Sequence, residues 1–415
     1  MSNTDEATRG ARGMVRRILL KAYRFGVRRI ALFRFSPSER PLKVPPPWRR
    51  RDYDVPDELR TVPGIWRRPD EERAAFERVP LHDYFMVHWE AAAWFLDQGW
   101  HYVVPAMPRI QRAIHKARAV SREPVGRRGE LAPDELRRRV RELAQEAGLS
   151  TIGIARYDPK YTFAEYAGKH ETGNVIVSIV EQDYDATQTI PSNRAEKAAF
   201  HAYAEVVRRS ARLAEGLREL GYRADAHDHV GQAVVIHYGV EAGLGQLGLN
   251  GQLLTPTAGS RCRISLITTN LDLEPDAPVD YGMHAICDSC QACVRRCPTG
   301  AIPSARKDSR GVMKAKIKTE RCLPVVAQIE GCGVCMKVCP IQRYGLDRVL
   351  DHYTETGAVL GVGSDELEGF HWPPDDRRYG PGEKPRIDSK SLLKPEGMIL
   401  DLTRVGPPAG AKKIV

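Results

Sequence analysis

The chain has 415 residues, 42% hydrophobic and 28% charged, an ordinary globular composition with room for a core of roughly 200 residues or more. Its net charge of +10 is carried by residues 1–50, which hold 13 Lys/Arg against 3 Asp/Glu; the remaining 365 residues balance at 50 against 50, which argues against a nucleic-acid-binding body. No run approaches the ~20 consecutive apolar residues that a transmembrane helix needs.

Residues 14–35 interleave apolar and basic side chains at helical spacing, with Val15, Leu19, Tyr23, Val27 and Ile30 near one face and Arg17, Lys21, Arg24 and Arg28 on another. Two readings stay open: a basic amphipathic helix lying on an anionic membrane surface, or a solvated arm. Arg16-Arg17 and Arg28-Arg29 invite a twin-arginine export reading, but no uninterrupted apolar segment or small-residue cleavage site follows either pair. A cytoplasmic location is therefore expected, peripheral at the inner face of the membrane under the first reading. Residues 36–80 are rich in Pro and charge, so 1–80 reads as a basic helix and extended arm. Residues 81–125 form an aromatic helical segment with Tyr84, Phe85, Trp89, Trp94, Phe95, Trp100 and Tyr102. Trp89, Phe95 and Trp100 either roof a pocket or pack on the core.

Residues 126–280 alternate helices and strands, as expected of an α/β (α+β) catalytic domain. Pro133 and two acids open a helix over 133–147, with Gly148 as its stop. The β-branched runs Thr151–Arg156 and Asn174–Glu181 predict strands. A long helix follows over 194–220, then a strand or buried turn over 234–238 and a strand over 263–269.

Eight of the nine cysteines fall in two runs within 281–346. Cys287-x2-Cys290-x2-Cys293-x3-Cys297-Pro298 has bacterial ferredoxin spacing, and Cys322-x9-Cys332-x2-Cys335-x3-Cys339-Pro340 is a variant with a stretched first interval. Three thiolates at two-residue intervals can wrap one face of a cubane, and the Pro after the fourth Cys turns the chain away. Zinc sites usually come as two Cys-x2-Cys pairs, without a third Cys at the same step. Disulfides suit a small secreted domain. In two-cluster ferredoxins the fourth Cys of each run crosses to the other cluster. One [4Fe–4S] cluster is thus assigned to Cys287, Cys290, Cys293 and Cys339, the other to Cys322, Cys332, Cys335 and Cys297. Cys262 is left as a buried structural thiol. Beyond the clusters, 347–415 holds two Pro/Gly-rich stretches and reads as an extended tail, with His371, Trp372 and Tyr379 as docking candidates.

Four stretches lead in order into Cys287: Ala242-Gly243-Leu244-Gly245-x2-Gly248-x-Asn250-Gly251, Leu253-Leu254-Thr255-Pro256, Gly259-Ser260-Arg261-x-Arg263, and Thr268-Thr269-Asn270-Leu271-x-Leu273-Glu274-Pro275-Asp276. This order resembles the corrinoid-dependent reductive dehalogenases and their relative epoxyqueuosine reductase, over about residues 134–339 and more faintly over 367–381. The resemblance implies a nitroreductase-like, corrinoid-binding core followed by a bacterial-type two-[4Fe–4S] ferredoxin module. It implies cobalamin held base-off, with Gly243, Leu244, Gly245, Gly248 and Asn250 as cofactor-binding residues. It makes Tyr203 the proton donor, and Arg261 or Arg263 the arginine that stabilises phenolate or binds a leaving halide. His229, beside Asp228, falls where the family carries Asn, Lys or Asp. Asp225-Ala226-His227-Asp228-His229-Val230 approaches the corrinoid-ligand motif Asp-x-His-x-x-Gly, but has Val in place of its Gly, and the family does not use that histidine.

The implied reaction replaces carbon–halogen by carbon–hydrogen on a small organohalide, or performs a related reductive cleavage. Electrons would come from an external donor such as ferredoxin or flavodoxin. Two alternatives stay open: a tRNA-modifying enzyme like epoxyqueuosine reductase, and a two-cluster electron-transfer protein. The neutral body weighs against the first, and the more than 250 residues ahead of Cys287 against the second.

Overall fold

The computed structural model describes residues 100–161, 173–227, 233–309, 312–318, 321–322, 325–326, 329–385 and 387. The basic N-terminal helix and arm, the aromatic residues before Trp100, His229 with Asp228, and the end of the tail lie outside these residues. Helix α1 (Trp100–Val120) buries Ile110, Ala113, Ile114, Ala117 and Val120, a single stripe at helical spacing. Helix α2 (Pro133–Glu146) starts at its proline, carries Asp134 and Glu135 in its first turn, and is stopped by Gly148 at φ +79°.

Strands β1 (Thr151–Arg156) and β2 (Asn174–Glu181) are followed by α3 (Tyr184–Gln188), the 27-residue α4 (Asn193–Glu219) and β3 (Ala224–Ala226). Ser192 caps α4 by accepting the Ala195 N–H at 3.1 Å. The buried face of α4 is largely alanine, including Ala195, Ala198, Ala199 and Ala202, which lets the helix lie close on the sheet. Next come α5 (Val235–Glu241), the short β4 (Gln246–Leu247) and β5 (Leu253–Leu254), and β6 (Cys262–Thr269). The main sheet has the order β1-β2-β6-β3, and all its pairings are antiparallel.

β2 is one of the two inner strands and is covered on both faces. Ile176 and Val180 enter the apolar cluster beneath α1, α2 and α4, whereas Val175, Val177 and Ile179 enter the cluster beneath α5. This period of two follows directly from NVIVSIVE. Each such side chain contributes about 1.5–3 kcal/mol of apolar burial. Of the two arrangements the alternation allowed, the sheet is of the α+β kind. A parallel sheet needs crossover connections with the same sense, whereas β2 and β6 run in opposite directions and β1 returns alongside β2. The stretch 234–238 is a helix rather than a strand or turn. Its β-branched residues are overridden by packing that buries His237, Tyr238 and Val240 against the sheet.

The cysteine-bearing half is built of short elements: α6 (Met283–Cys290), α7 (Ala292–Arg296), the hairpin β7 (Lys307–Ser309) and β8 (Val312–Lys314), α8 (Val334–Lys337) and α9 (Pro340–Tyr344). The region after residue 346 is more ordered than an extended tail. It forms α10 (Leu346–Thr356), α11 (Asp365–Glu368) and the hairpin β9 (Phe370–Trp372) and β10 (Arg377–Tyr379). Phe370, Trp372 and Tyr379 join the apolar cluster that contains Cys290, Cys332 and Cys339. His371 points outward and pairs with Asp376 at 2.9 Å, as strand alternation between two buried neighbours requires.

Arg296 fixes this wrap. Wholly buried, its guanidinium donates to the carbonyls of Glu368 (3.2 Å), Tyr379 (3.1 Å) and Glu383, and stacks 4.9 Å from the Phe370 ring centre. Arg296→Met keeps the bulk but leaves three carbonyls unpaired, at a cost on the order of 2–4 kcal/mol. A lowered thermal midpoint is the expected result, and an unchanged one would show that the wrap is not held by Arg296. No helix among the described residues is long and apolar enough to cross a membrane.

Candidate active site and thiolate sets

The thiols are presented by loops and helix ends, which lets four of them turn toward one point. α6 carries Cys287 and Cys290 one turn apart, α7 carries Cys293 and ends at Cys297, α8 carries Cys335, and Cys339 is the N-cap of α9. Left-handed backbone at Gln291, Glu330, Gly331, Cys332 and Gly333 makes the sharp bends between them. All eight thiols are free.

Mutual repulsion of the thiolates defines their grouping. Cys293 is raised first by burial and then by Cys287, Cys335, Cys339 and Cys290, and Cys339 likewise by Cys287 and Cys290. Cys322 is pushed up to about 11 by burial and by Cys297, and Cys332 to about 12 by burial, Cys322 and Cys297. Cys335 responds to burial, then to Cys322, Cys332, Cys297 and Cys339. These proximities are those that a crossed grouping of Cys287/Cys290/Cys293/Cys339 and Cys322/Cys332/Cys335/Cys297 would give. The Cys293–Cys335–Cys339 couplings show that the sets are adjacent.

Buried thiols pushed so high remain protonated unless a cation complex compensates them, and coordination to metal deprotonates a thiol outright. Cys287, Cys290, Cys293, Cys335 and Cys339 line a small cavity of about 20 Å³ together with Leu249, Asn250 and Leu254. Among the described residues no group of three ligating side chains is gathered tightly enough for a single ion. Two adjacent groups of four thiols at ferredoxin spacing fit iron–sulfur clusters better than zinc. Hydrogen bonds to sulfur complete the fit: the backbone N–H of Ala301 reaches Cys297 Sγ at 3.3 Å, and those of Leu249, Ala292 and Val334 serve Cys287, Cys290 and Cys332.

Tyr203 and Arg263 are brought together. Tyr203 lies on α4, packed at the edge of the main core, and the Arg263 guanidinium from β6 stacks 4.8 Å from the centre of its ring. Arg263 is held by donating to Gln182 Oε1 at 2.6 Å and to the Cys262 carbonyl at 2.8 Å. Arg261 goes elsewhere. It pairs with Glu181 at 3.3 Å, donates to the Gln182 carbonyl at 2.6 Å and covers the Tyr184 ring at 5.4 Å. Arg261 precedes β6, and its acid stands at the end of β2, so it clamps the ends of the two inner strands; Arg263 is the arginine beside Tyr203. His227 is buried and bonds Thr268 Oγ1 at 2.9 Å. Cys262 is buried, with burial pushing its thiol to about 12, which fits an inert structural role.

The glycine segment does not form an open cradle. A Cβ on Gly245 would overlap the Leu254 carbonyl, and one on Gly248 would meet Asn250 Oδ1 and Leu254. Gly243 makes a left-handed turn at φ +64°. These glycines let β4 and β5 approach each other, and Leu249 and Asn250 line the cavity beside the first thiol set. Leu244 packs at the edge of the cluster under α5.

Sequence reading missed Glu196. It lies seven residues before Tyr203, two turns along the same face of α4, and its carboxylate fills the space a Cβ on Gly331 would need, beside Cys332. Burial raises its carboxyl to about 7, against a downward pull from Arg263, with Glu330 adding to the rise. Folding thus favours its neutral form, and the folded state loses stability as pH climbs from the ordinary 4.5 through about 7. Glu196→Gln is therefore expected to raise the thermal midpoint at about pH 8 and to leave it level with the parent at about pH 4. Melting curves of reconstituted protein at the two pH values would contradict this if the gain were the same at both.

Fold and site together describe an iron–sulfur protein in which a dithiolate-set module is joined to an antiparallel α+β core carrying a tyrosine–arginine pair. Residues 286–342 match a family model described as a 4Fe-4S dicluster domain. The chain is 32% identical to tetrachloroethene reductive dehalogenase of Sulfurospirillum multivorans over 213 residues, covering 48% of this chain and 42% of that protein. It is 36% identical to epoxyqueuosine reductase of Lactococcus garvieae over 159 residues, covering 34% of this chain and 42% of that protein.

Among solved structures, a catabolic reductive dehalogenase superposes with a TM-score of 0.61 at 21% identity, over 79% of this chain and 53% of its own. A second reductive dehalogenase, described for B12-dependent dehalogenation, gives 0.54 at 22% identity over 69% and 46%. The resemblance to reductive dehalogenases thus stands in both sequence and fold, and that to epoxyqueuosine reductase in sequence. The chain spans less than half the length of the curated relatives it matches.

Proposed function

We propose that the chain is a corrinoid- and iron–sulfur-dependent oxidoreductase that replaces carbon–halogen by carbon–hydrogen, or performs a related reductive cleavage. Two electrons and one proton enter and halide leaves. The observation that carries this reading is the Arg263–Tyr203 stack on a helix whose preceding two turns bring Glu196 against the Cys332 loop. Proton source and electron source meet along one face of α4.

In this reading each thiol set holds one [4Fe–4S] cluster, and an external one-electron donor supplies them. The core is taken as nitroreductase-like, a reading supported by its antiparallel sheet with helices on both faces. A corrinoid, when bound, supplies a metal centre that passes electrons to the substrate carbon. Tyr203 is the proton donor, and Arg263 stabilises the phenolate that transfer leaves behind. Gln182 and the Cys262 carbonyl keep the guanidinium flat on the ring, so the cation is in place before the proton moves.

The reading is tested by halide release from halogenated phenols and alkenes, with anaerobically reconstituted protein and a chemical reductant. Halide formed in step with the dehalogenated product is expected. The identity to epoxyqueuosine reductase supports a second reading. Reduction of an epoxyqueuosine-bearing stem-loop, with no halide released, would favour it.

A further inference from the structure

A strongly basic stretch of the otherwise balanced body lies beside the cysteines. Residues 306–321 hold seven Lys/Arg against two acids, Asp308 and Glu320, and lie between the two cysteine runs. They include the β7–β8 hairpin, which is fixed at two points. Val312 is buried in the apolar cluster under α5 with Tyr238 and Leu253. Ile317 packs against the apolar cluster of Cys297, Ala301 and Ile302, as do Cys322 and Cys335. The return strand is further tied by the Lys318 N–H to the Ala301 carbonyl at 2.9 Å and by the Cys322 N–H to the Lys318 carbonyl at 3.1 Å.

Alternation around Ile317 has a direct consequence. With Ile317 turned onto that cluster, Lys316 and Lys318 on either side are exposed, as are Lys307 and Arg321. Arg306 is committed to Asp288 at 2.5 Å, but Lys307, Lys316, Lys318 and Arg321 have no acidic partner among the described residues. Four cations without an acidic partner among the described residues therefore flank the segment that Ile317 anchors beside Cys297.

We propose that Lys307, Lys316, Lys318 and Arg321 form the docking face for an acidic one-electron carrier protein of the ferredoxin or flavodoxin class. The inference rests on the reading of that thiol set as a redox cluster. Each docking event oxidises the reduced carrier by one electron and reduces the cluster by one, and two events supply the pair the reaction consumes. Opposite charge on the carrier steers encounter and raises the association rate without a large buried interface. A nucleic-acid face would combine cations with stacking aromatics, and residues 306–321 contain no aromatic side chain.

The test is stopped-flow reduction of the anaerobically reconstituted full chain by flavodoxin hydroquinone, with methyl viologen radical cation as a small donor that needs no docking face. Wild-type rates should fall steeply between about 20 and 500 mM salt. Lys316→Glu/Lys318→Glu should lower the flavodoxin rate on the order of 10–100-fold at low salt, and Lys316→Gln/Lys318→Gln by a smaller factor, with methyl viologen rates unchanged. Equal flavodoxin rates for wild type and both double variants would overturn the proposal. So would a transfer-RNA stem-loop whose binding is lost in the variants while the flavodoxin rate is kept. Iron content and the methyl viologen rate report on the cluster reading separately from the docking rate.

Discussion

Tyr203→Phe is expected to lower kcat by 10²–10⁴-fold, the span typical of losing a positioned general acid, while iron and cobalt content stay at parental levels. The ring is retained, so the packing of Tyr203 on the edge of the core and its stack with Arg263 survive. Only the proton is removed. Arg263→Met should lower kcat by a comparable factor through loss of the cation that stabilises the phenolate, and Arg263→Lys should recover little, because an ammonium cannot keep the flat stack while bonding Gln182. Arg261→Met separates the two arginines. Its contacts are Glu181, Gln182 and Tyr184, so it should lower the thermal midpoint and spare kcat in the protein that remains folded. If Tyr203→Phe turned over at the parental rate, Tyr203 would not be the acid.

The second large effect concerns the crossing of the cysteines. Cys339→Ser should remove the cluster of Cys287, Cys290 and Cys293, although Cys339 belongs to the other run in sequence. Cys297→Ser should instead remove the cluster of Cys322, Cys332 and Cys335. Each variant is expected to fall from about eight irons per chain to about four, or to a three-iron cluster in place of the lost one. EPR of the reduced state would distinguish the two, since the loss of one partner abolishes magnetic interaction between the clusters. Were Cys339→Ser to damage the Cys322/Cys332/Cys335 site instead, the crossed grouping read from the thiolate repulsions would be wrong.

Much of this site was legible in the sequence because its signals are short-range. The spacing of Cys287, Cys290 and Cys293 and the prolines after Cys297 and Cys339 already imply two crossed sets. The position of Tyr203 on a long helix and of Arg263 on a β-branched strand follows from periodicity and motif order. What was not legible depends on contacts between distant segments. Arg261 and Arg263 looked equivalent in the sequence, and only the packing of Glu181 against the turn before β6 draws Arg261 away. Glu196 drew no notice because its neighbour, Gly331, lies in the stretched interval of the second cysteine run.

The glycines of 243–248 suggested a ligand cradle, yet their missing side chains make room for the protein's own β4–β5 backbone. The antiparallel sheet order was likewise hidden, since periodicity tells which face of a strand is buried but not which strand lies beside it. The prolines and glycines of the wrap over the cysteine half predict an extended tail. Its order comes instead from Phe370, Trp372 and Tyr379 packing inward and from the three carbonyls gathered by Arg296.

The central claim is that electrons from two clusters and a proton from Tyr203 converge on a corrinoid in this core. Anaerobic reconstitution with iron, sulfide and cobalamin, followed by metal analysis and EPR, tests it most directly. About eight irons and one cobalt per chain, with a base-off cob(II)alamin signal, is the predicted result. About eight irons with no retained cobalt would contradict it and leave a two-cluster electron-transfer protein.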